Sequence, residues 1–481
     1  MSRPGGVQGA RGAVKLGVPT LTAMVVGSMV GAGVFSLPAT FAQETGVLGA
    51  LIAWVIAGLG MLMLALAFQA LAVRRPQLDA GVYAYAKAGF GELIGFFSAF
   101  GYWASACVGN VTYWVLIMST LGAVIPALGA GDTLLSFALS SVGLWVFFLL
   151  VRRGVREAAA VNRIVTVAKL VPILVAIVLA LSVLDPAVFA ANLLGGTDTG
   201  GLFEQVQGTM LITVFVFLGV EGASVYSRHA RRRADVGRAT VLGFLAVFSV
   251  FASVTIVSFG VMPADDLAAL RQPSLAGVLE AAVGPWGAVL VSAGLIVSVL
   301  GAYLAWTLMA AEVVFVAAKD GDMPRFLARA NDRDVPVGAL LSSTVLAQAV
   351  LVVAMFAVDA FDFALNLTSA LALVPFLFAA GYLLRIGISP DAASDDRRTR
   401  RRDLVIGALA TVYVLFLLVG AGWSYLLVSL IVQVPAVALF LVARHQRGRR
   451  LLTPAEWVIL GMAAAGAVVG VVGIAAGWIV L

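Results

Sequence analysis

The sequence predicts an all-α polytopic membrane protein of about 13 transmembrane helices, and three observations lead to this prediction. Of the 481 residues, 62% are hydrophobic and only 12% are charged. A soluble domain carries about twice that charged fraction, so lipid must replace much of the water around this chain. Apolar runs of roughly the 20 residues that a span needs recur along the sequence. The basic residues fall almost entirely in alternate connecting segments.

The apolar runs define the predicted spans. Each of them must be helical or shielded by protein, because an unpaired backbone group in hydrocarbon costs several kcal/mol. In chain order the predicted spans cover residues 16–38, 46–73, 92–126, 133–151, 161–184, 203–227, 236–260, 285–317, 337–357, 363–385, 404–420, 423–443 and 456–480.

The basic residues predict the topology. All lysines and arginines except Lys169 and Arg271 belong to segments that the alternation assigns to one side. The positive-inside rule then places the tail 1–15 in the cytoplasm, and an odd number of spans places the C-terminus outside. Topology and contact with anionic lipid account for the basic runs Arg231–Arg233 and Arg397–Arg402. We therefore expect the lipid bilayer, and no nucleic acid, as a partner.

Two predicted spans contain helix-breaking patterns in their middle. Gly27–Pro38 reads GSMVGAGVFSLP, with three glycines in seven residues, and Phe215–Val225 reads FVFLGVEGASV, with glycines on both sides of Glu221. Glycine disfavours a helix, and irregular backbone at membrane depth is tolerated only where it lines a cavity or is buried in protein. Paired Gly-interrupted spans therefore point to a transporter binding site. The alternative is close helix packing of the GxxxG kind, which Gly27 and Gly31 would fit.

The positions of these two spans predict an internal repeat. They are the first and the sixth, so each opens a set of five, and the second set enters the membrane from the opposite side. We expect a ten-helix transport core over residues 16–385, with inverted repeats at about 16–184 and 203–385. A cytoplasmic loop at 386–403 and three additional C-terminal helices within 404–481 would follow.

At these residues the sequence resembles the amino acid–polyamine–organocation (APC) superfamily and, within it, the basic amino acid/polyamine antiporters. Further similar segments are Pro76–Gly91 (PQLDAGVYAYAKAGFG), Tyr102–Asn110 (YWASACVGN) and Trp306–Pro324, which ends in KDGDMP. The likeness runs from about residue 15 to 445. It implies a LeuT-like fold with five plus five inverted spans and discontinuous first and sixth spans, in a bacterial cytoplasmic (inner) membrane. It also implies exchange of cationic amino acids, with arginine and ornithine as the leading pair, and allows a homodimer.

The resemblance also implies how an amino acid would be held. A broken helix offers free amides at the positive end of a helix dipole, which suit a carboxylate, and free carbonyls, which suit an ammonium. By match to the family's motif, the amides of Ala32 and Gly33 would hold the carboxylate. The carbonyls of Met29, Phe215 and Leu218 would accept from the ammonium.

Three further side chains are candidates for the cationic end of the substrate. Trp306 lies 13 residues before Lys319, about 20 Å from the cytoplasmic edge, and would stack on a cation or simply pack. Asn110 would hydrogen-bond the cationic head, the alternative being a helix–helix hydrogen bond. Tyr102 resembles a gating tyrosine of the family. Phe215 replaces a tryptophan of the arginine/agmatine antiporters, which puts agmatine exchange in doubt.

Two charged residues lie inside predicted spans, where charges are costly and usually functional. Glu221 resembles a proton-sensing or gating glutamate, and the alternative is a structural capping role. Lys169 is too deep for an ordinary loop charge. We expect its ammonium to bridge the fifth and first spans in place of a sodium ion, unless it extends to the cytoplasmic face.

No enzyme constellation competes with transport. The two histidines, His229 and His445, lie in basic segments away from acids and cysteines, and no phosphate-binding loop occurs, so no cofactor or metal is expected. Two alternatives remain open. One is a lysine permease or lysine-directed exchanger, and the other is a receptor or assembly subunit that binds an amino acid without moving it.

Overall fold

The computed structural model describes residues 17–78, 82–153, 158–197, 199–221, 233–333, 335–357, 359–388, 397–420 and 422–479. Within these residues the chain is helical and has no β-strand, which confirms the predicted fold class. The predicted tail 1–15 lies outside the described residues. The helices are α1 Val18–Met29, α2 Gly33–Glu44, α3 Val47–Arg74, α4 Val82–Phe90, α5 Glu92–Gly122, α6 Leu134–Arg152, α7 Ala158–Ser182, α8 Pro186–Ala191, α9 Leu202–Gly208, α10 Met210–Phe217, α11 Arg233–Ser258, α12 Ala264–Ala268, α13 Ser274–Val283, α14 Pro285–Asp320, α15 Val337–Ala354, α16 Ala360–Ile388, α17 Arg397–Gly420, α18 Gly422–Gln446 and α19 Pro454–Ala475.

Within the described residues, ten helices are long and apolar enough to cross a membrane. The pair α1 and α2, bent by 49° at a short break, makes an eleventh span. Helix α7 and the pair α9–α10 stand at the predicted fifth and sixth positions in chain order. The polytopic architecture is therefore confirmed, whereas the number of thirteen spans stays a prediction.

Helix contacts come in matched pairs between the two halves of the core. Helices α3, α5 and α6 of the first half pack against their counterparts α11, α14 and α15 of the second half. The cross contacts match as well: α1 packs on α11 as α10 packs on α3, and α7 packs on α14 as α16 packs on α5. A two-fold relation between inverted repeats would produce this pattern. The five-plus-five core itself stays a prediction.

The KDGDMP segment fastens α4 to the end of α14, at the end of the bundle where most arginines lie, called here the basic side. The hydroxyl of Tyr83 donates to Asp320 at 2.7 Å, and the ammonium of Lys87 donates to both oxygens of Asp322 at 2.6 and 2.7 Å. Burial raises the pKa of Asp322, and the positive charge of Lys87 opposes this shift. The segment singled out by its family likeness thus has a positioning role.

The C-terminal helices are joined to the transport core on the basic side. Arg444 of α18 donates to Glu456 of α19 at 2.7 and 2.8 Å and to Glu92 at the start of α5 at 2.9 Å. Arg449 donates to the other oxygen of Glu92 at 2.6 Å. Helices α18 and α19 therefore form one unit that is tied to the third predicted span.

The predicted loop 386–403 is shorter than expected. Helix α16 continues to Ile388 and α17 already begins at Arg397, while residues 389–396 lie outside the described residues. Arginine is a good helix former, and the exposed side chains of Arg401 and Arg402 belong to helical turns that precede the apolar part of α17. The start of the membrane span at 404 stays a prediction.

Candidate substrate site at two helix breaks

The first break separates α1 from α2. Helix α1 ends at Met29, Val30 has an extended backbone with φ −77° and ψ 95°, and α2 begins at Gly33. No described residue accepts a hydrogen bond from the amides of Gly31, Ala32 or Gly33. The start of α2 therefore presents unpaired amides at the positive end of its dipole, as an anion site requires.

The second break follows α10, which ends at Phe217. Gly219 has φ +103°, a conformation that other residues rarely adopt. A Cβ atom on Gly219 would lie 2.8 Å from the carbonyl carbon of Ser28, and the Ser28 hydroxyl donates to the Gly219 carbonyl at 3.0 Å. The two breaks therefore touch at their backbones. Residues 222–227, the rest of the predicted sixth span, lie outside the described residues.

A small cavity lies where the breaks meet. Its volume is about 20 Å³, which is room for about one water molecule. An amino acid needs more space, so the aromatic side chains of Phe215 and Trp306, or the helices that carry them, must move when substrate enters. The predicted binding residues that line the cavity are Met29, Ala32, Gly33, Phe215, Leu218 and Trp306.

Sequence reasoning missed part of the lining. The hydroxyl of Tyr113 would lie 2.8 Å from a Cβ atom on Gly31, and Ser105 donates to the carbonyl of Thr368 at 2.8 Å. Tyr113 follows the candidate Asn110 by three residues, close to one helical turn, which is a signal that could have identified it. The lining residues not predicted are Ser28, Gly31, Ser105, Ala106, Gly109, Tyr113, Val216 and Thr368.

Trp306 is held against the first break. Its indole Nε1 donates to the carbonyl oxygen of Ser28 at 3.3 Å, and its ring lies 6.3 Å from the ring of Tyr102. The indole nitrogen is thereby used by the protein, while the ring borders the cavity. This arrangement is compatible with stacking on a cation.

Tyr102 and Glu221 form a pair beside the cavity. The Tyr102 hydroxyl donates to Glu221 Oε1 at 2.6 Å, and the Gly219 amide donates to Oε2 at 3.1 Å. Glu221 is fully buried, and neither member of the pair is among the lining residues. The pair therefore connects α5 to the second break.

Asn110 lies beside the cavity rather than on its wall. Its Nδ2 donates to Thr307 Oγ1 at 3.2 Å, and its Oδ1 has no partner among the described residues. The helix–helix hydrogen bond weighed as an alternative is thus present. Because Oδ1 is available, a contact between Asn110 and a substrate stays a prediction.

Lys169 reaches the first break from α7. Its side chain is 1% exposed, and Nζ donates to the carbonyls of Gly27 at 2.5 Å and Val30 at 2.6 Å. This geometry is the predicted bridge between the fifth and first spans, and it is incompatible with a side chain that extends to the membrane surface. A cation thus stabilises carbonyls that the break leaves without helical partners.

A cavity where a broken helix pair meets the end of a second helix, inside a many-span bundle, is typical of a membrane transporter. The chain belongs to the amino acid permease family, whose model matches residues 16–463. It is 45% identical over 475 residues to an arginine/ornithine antiporter of Pseudomonas aeruginosa, covering 97% of this chain and 98% of the relative. It is 40% identical over 489 residues to an L-lysine transport protein of Corynebacterium glutamicum, covering 97% of each. An arginine/ornithine antiporter of Latilactobacillus sakei is 34% identical over 474 residues, with 98% and 99% covered.

Proposed function

We propose that this protein exchanges cationic amino acids across the membrane by alternating access, with arginine and ornithine as the exchanged pair. The observation that carries the proposal is the meeting of the two breaks at one cavity. The antiporters of P. aeruginosa and L. sakei, which cover nearly the whole chain, support the choice of substrates.

The zwitterionic end of the substrate binds to the backbone. The unpaired amides of Ala32 and Gly33 receive the carboxylate, because they lie at the start of α2. The carbonyls of Met29 and Leu218 accept from the ammonium. The Phe215 carbonyl already receives the Leu218 amide at 3.3 Å and contributes its second lone pair.

The cationic side chain binds without a carboxylate, since none of the described residues that line the cavity is acidic. The aromatic faces of Trp306 and Phe215 supply the attraction that a desolvated cation needs. Asn110 completes the site by turning its free Oδ1 toward the substrate. These neutral partners are compatible with the guanidinium of arginine and with the ammonium of ornithine, which an exchanger binds alternately.

Lys169 removes the need for sodium. Its ammonium already occupies the position between α7 and the carbonyls of Gly27 and Val30, where a bound cation would otherwise join the two helices. Exchange then depends on the two amino-acid gradients and not on a sodium gradient.

The pair of Tyr102 and Glu221 controls the opening of the site. Its 2.6 Å hydrogen bond joins α5 to the second break, so protonation or movement of Glu221 alters the attachment of that break to the rest of the bundle. We assign the pair a gating role that is coupled to proton binding.

The protein spans a bacterial cytoplasmic membrane in this proposal. The basic side, which carries Lys87, Arg325 and Arg444, faces the cytoplasm by the positive-inside rule. The N-terminus is then cytoplasmic and the C-terminus extracytoplasmic. A homodimer is part of the proposal through the family resemblance alone.

Lysine is the second candidate substrate, and the 40% identity to the L-lysine transport protein favours it. Proteoliposomes loaded with ornithine separate the possibilities. Uptake of labelled arginine that requires internal ornithine supports arginine/ornithine exchange. Uptake of lysine alone supports a lysine permease, and absence of any flux supports an amino-acid receptor and refutes transport.

A further inference from the structure

A second cavity lies on the basic side, between the end of α6 and the segment that leads into α15. Its volume is about 320 Å³, and it is lined by Leu149, Arg152, Arg153, Asn331, Asp332 and Arg333. Three arginines and one aspartate give it a net charge of about +2. It shares no lining residue with the cavity at the helix breaks.

The walls of this cavity are held together by the protein's own hydrogen bonds. Asn331 Nδ2 donates to the carbonyl of Arg152 at 3.0 Å, and Arg333 donates to the carbonyl of Arg153. The amides of Arg333 and Val335 both donate to Asn331 Oδ1 at 3.0 Å. The segment is therefore fixed against the end of α6, and the negative end of that helix is partly neutralised.

The guanidinium groups of the cavity have no ion-pair partner among the described residues. Among the described residues, no carboxylate lies within ion-pair distance of Arg152 or Arg153, although Asp332 lies on the same cavity wall. Arg444 and Arg449, by contrast, both pair with Glu92. The cavity therefore concentrates a net positive charge that no ion pair among the described residues offsets.

The cavity also borders the lipid. Leu149 lines it and is 51% exposed, and only 28% of the apolar part of α6 is buried inside the protein. An apolar wall that continues onto the lipid-facing surface, below a group of arginines, matches a phosphate headgroup with attached acyl chains. Basic pockets at the cytoplasmic side of membrane helices bind anionic headgroups in this way.

We infer that this cavity is a binding site for a phosphate-bearing anion, with Arg152 and Arg153 as its principal ligands and Arg333 as the third. Planar guanidinium groups bind phosphate oxygens in pairs of hydrogen bonds. Bound phosphate would hold α6 and the segment before α15 together at the cytoplasmic ends of the fourth and ninth predicted spans. The site is independent of the amino-acid site and of the substrate proposed for it.

The test is binding of phosphatidylglycerol to the delipidated full-length protein. Binding is measured by the rise in thermal stability and by native mass spectrometry. The variant is Arg152→Gln with Arg153→Gln, because neither side chain makes a hydrogen bond to the described protein that the change would break. The matched control is Arg447→Gln with Arg450→Gln, which removes the same charge from two exposed arginines elsewhere on the basic side. Phosphatidylcholine and inorganic phosphate are the other two ligands tested.

The first double variant is expected to weaken phosphatidylglycerol binding roughly 30-fold, while the control binds as the parent protein does. If inorganic phosphate stabilises the parent protein and stabilises the first double variant less, the ligand is a free phosphate and the site is retained. Equal weakening in both double variants, or no weakening in the first, overturns the assignment, because binding would then follow overall charge alone or use other residues.

Discussion

The hydroxyl of Ser28 donates a 3.0 Å hydrogen bond to the carbonyl of Gly219, although 191 residues separate the two in sequence. Ser28 lies in the last turn of α1, next to the first break, and Gly219 belongs to the second. The contact is possible because Gly219 has no side chain and adopts φ +103°. A glycine in the second break thus allows the first break to approach it.

Gly219→Ala is expected to lower exchange by on the order of tenfold or more, because the new Cβ would meet the Ser28 carbonyl at 2.8 Å. Gly284→Ala is the matched control. Gly284 has φ +92°, and a Cβ atom there meets nothing within 4 Å, so it introduces similar backbone strain without the contact. Counterflow in proteoliposomes measures both. If both variants lose exchange activity equally, the contact between the breaks does not explain the loss.

Lys169→Met is expected to abolish most exchange and to lower thermal stability, because it removes two hydrogen bonds from an ammonium, each worth about 1.5–3 kcal/mol. Lys319→Met is the control, since Lys319 is exposed and lies over the ring of Phe315. The parent protein is expected to take up arginine equally in sodium and in potassium buffers. Stimulation of the parent by sodium would refute the role of Lys169 as its replacement.

Asn110→Leu is expected to weaken arginine binding about tenfold or more, the value of a hydrogen bond to a charged group. Thr307→Val removes the protein partner of Asn110 but keeps Asn110 itself, and it should leave binding close to that of the parent. Equilibrium binding of labelled arginine to the purified variants distinguishes the two roles. If Thr307→Val reproduces the loss, Asn110 serves helix packing and not the substrate.

Trp306→Leu is expected to weaken arginine binding roughly 30-fold, because a desolvated cation–π contact contributes about 2 kcal/mol. Citrulline, which has a similar shape but no side-chain charge, should be affected much less. Competition against labelled arginine gives the affinities of arginine and of citrulline for the same variant. Because the volume lost from the cavity wall affects both ligands alike, it cancels in the ratio of the two affinities. An unchanged ratio of arginine to citrulline affinity would speak against stacking on the cation.

The sequence was sufficient to predict the helical membrane fold and the two breaks, because glycines in mid-span and charged residues at membrane depth have few structural explanations. Lys169 and Glu221 were identifiable for the latter reason, and the contacts of Lys169 agree with the predicted bridge. Helix α17 begins seven residues before the predicted span at 404, since charge does not distinguish a loop from an exposed helical turn.

The remainder of the cavity wall could not be predicted from residue type. Ser105 and Thr368 are small hydroxyl residues on helices, and such residues commonly bond to the backbone of their own helix, as Thr368 does with Ala364 at 2.7 Å. Only the packing of α5 against α16 brings them to the cavity. Asn110 shows the opposite case, since a polar residue in a span was expected on the wall and lies behind it.

The central claim is that amides freed at the first break, those of Ala32 and Gly33, hold the substrate carboxylate. The most direct measurement is competition of agmatine, which is arginine without its carboxylate, against labelled arginine in ornithine-loaded proteoliposomes. A tenfold excess of agmatine is expected to leave arginine uptake nearly unchanged, because the loss of charge-assisted hydrogen bonds to two amides lowers the affinity by about 100-fold or more. Inhibition by agmatine at concentrations equal to those of unlabelled arginine would contradict the claim.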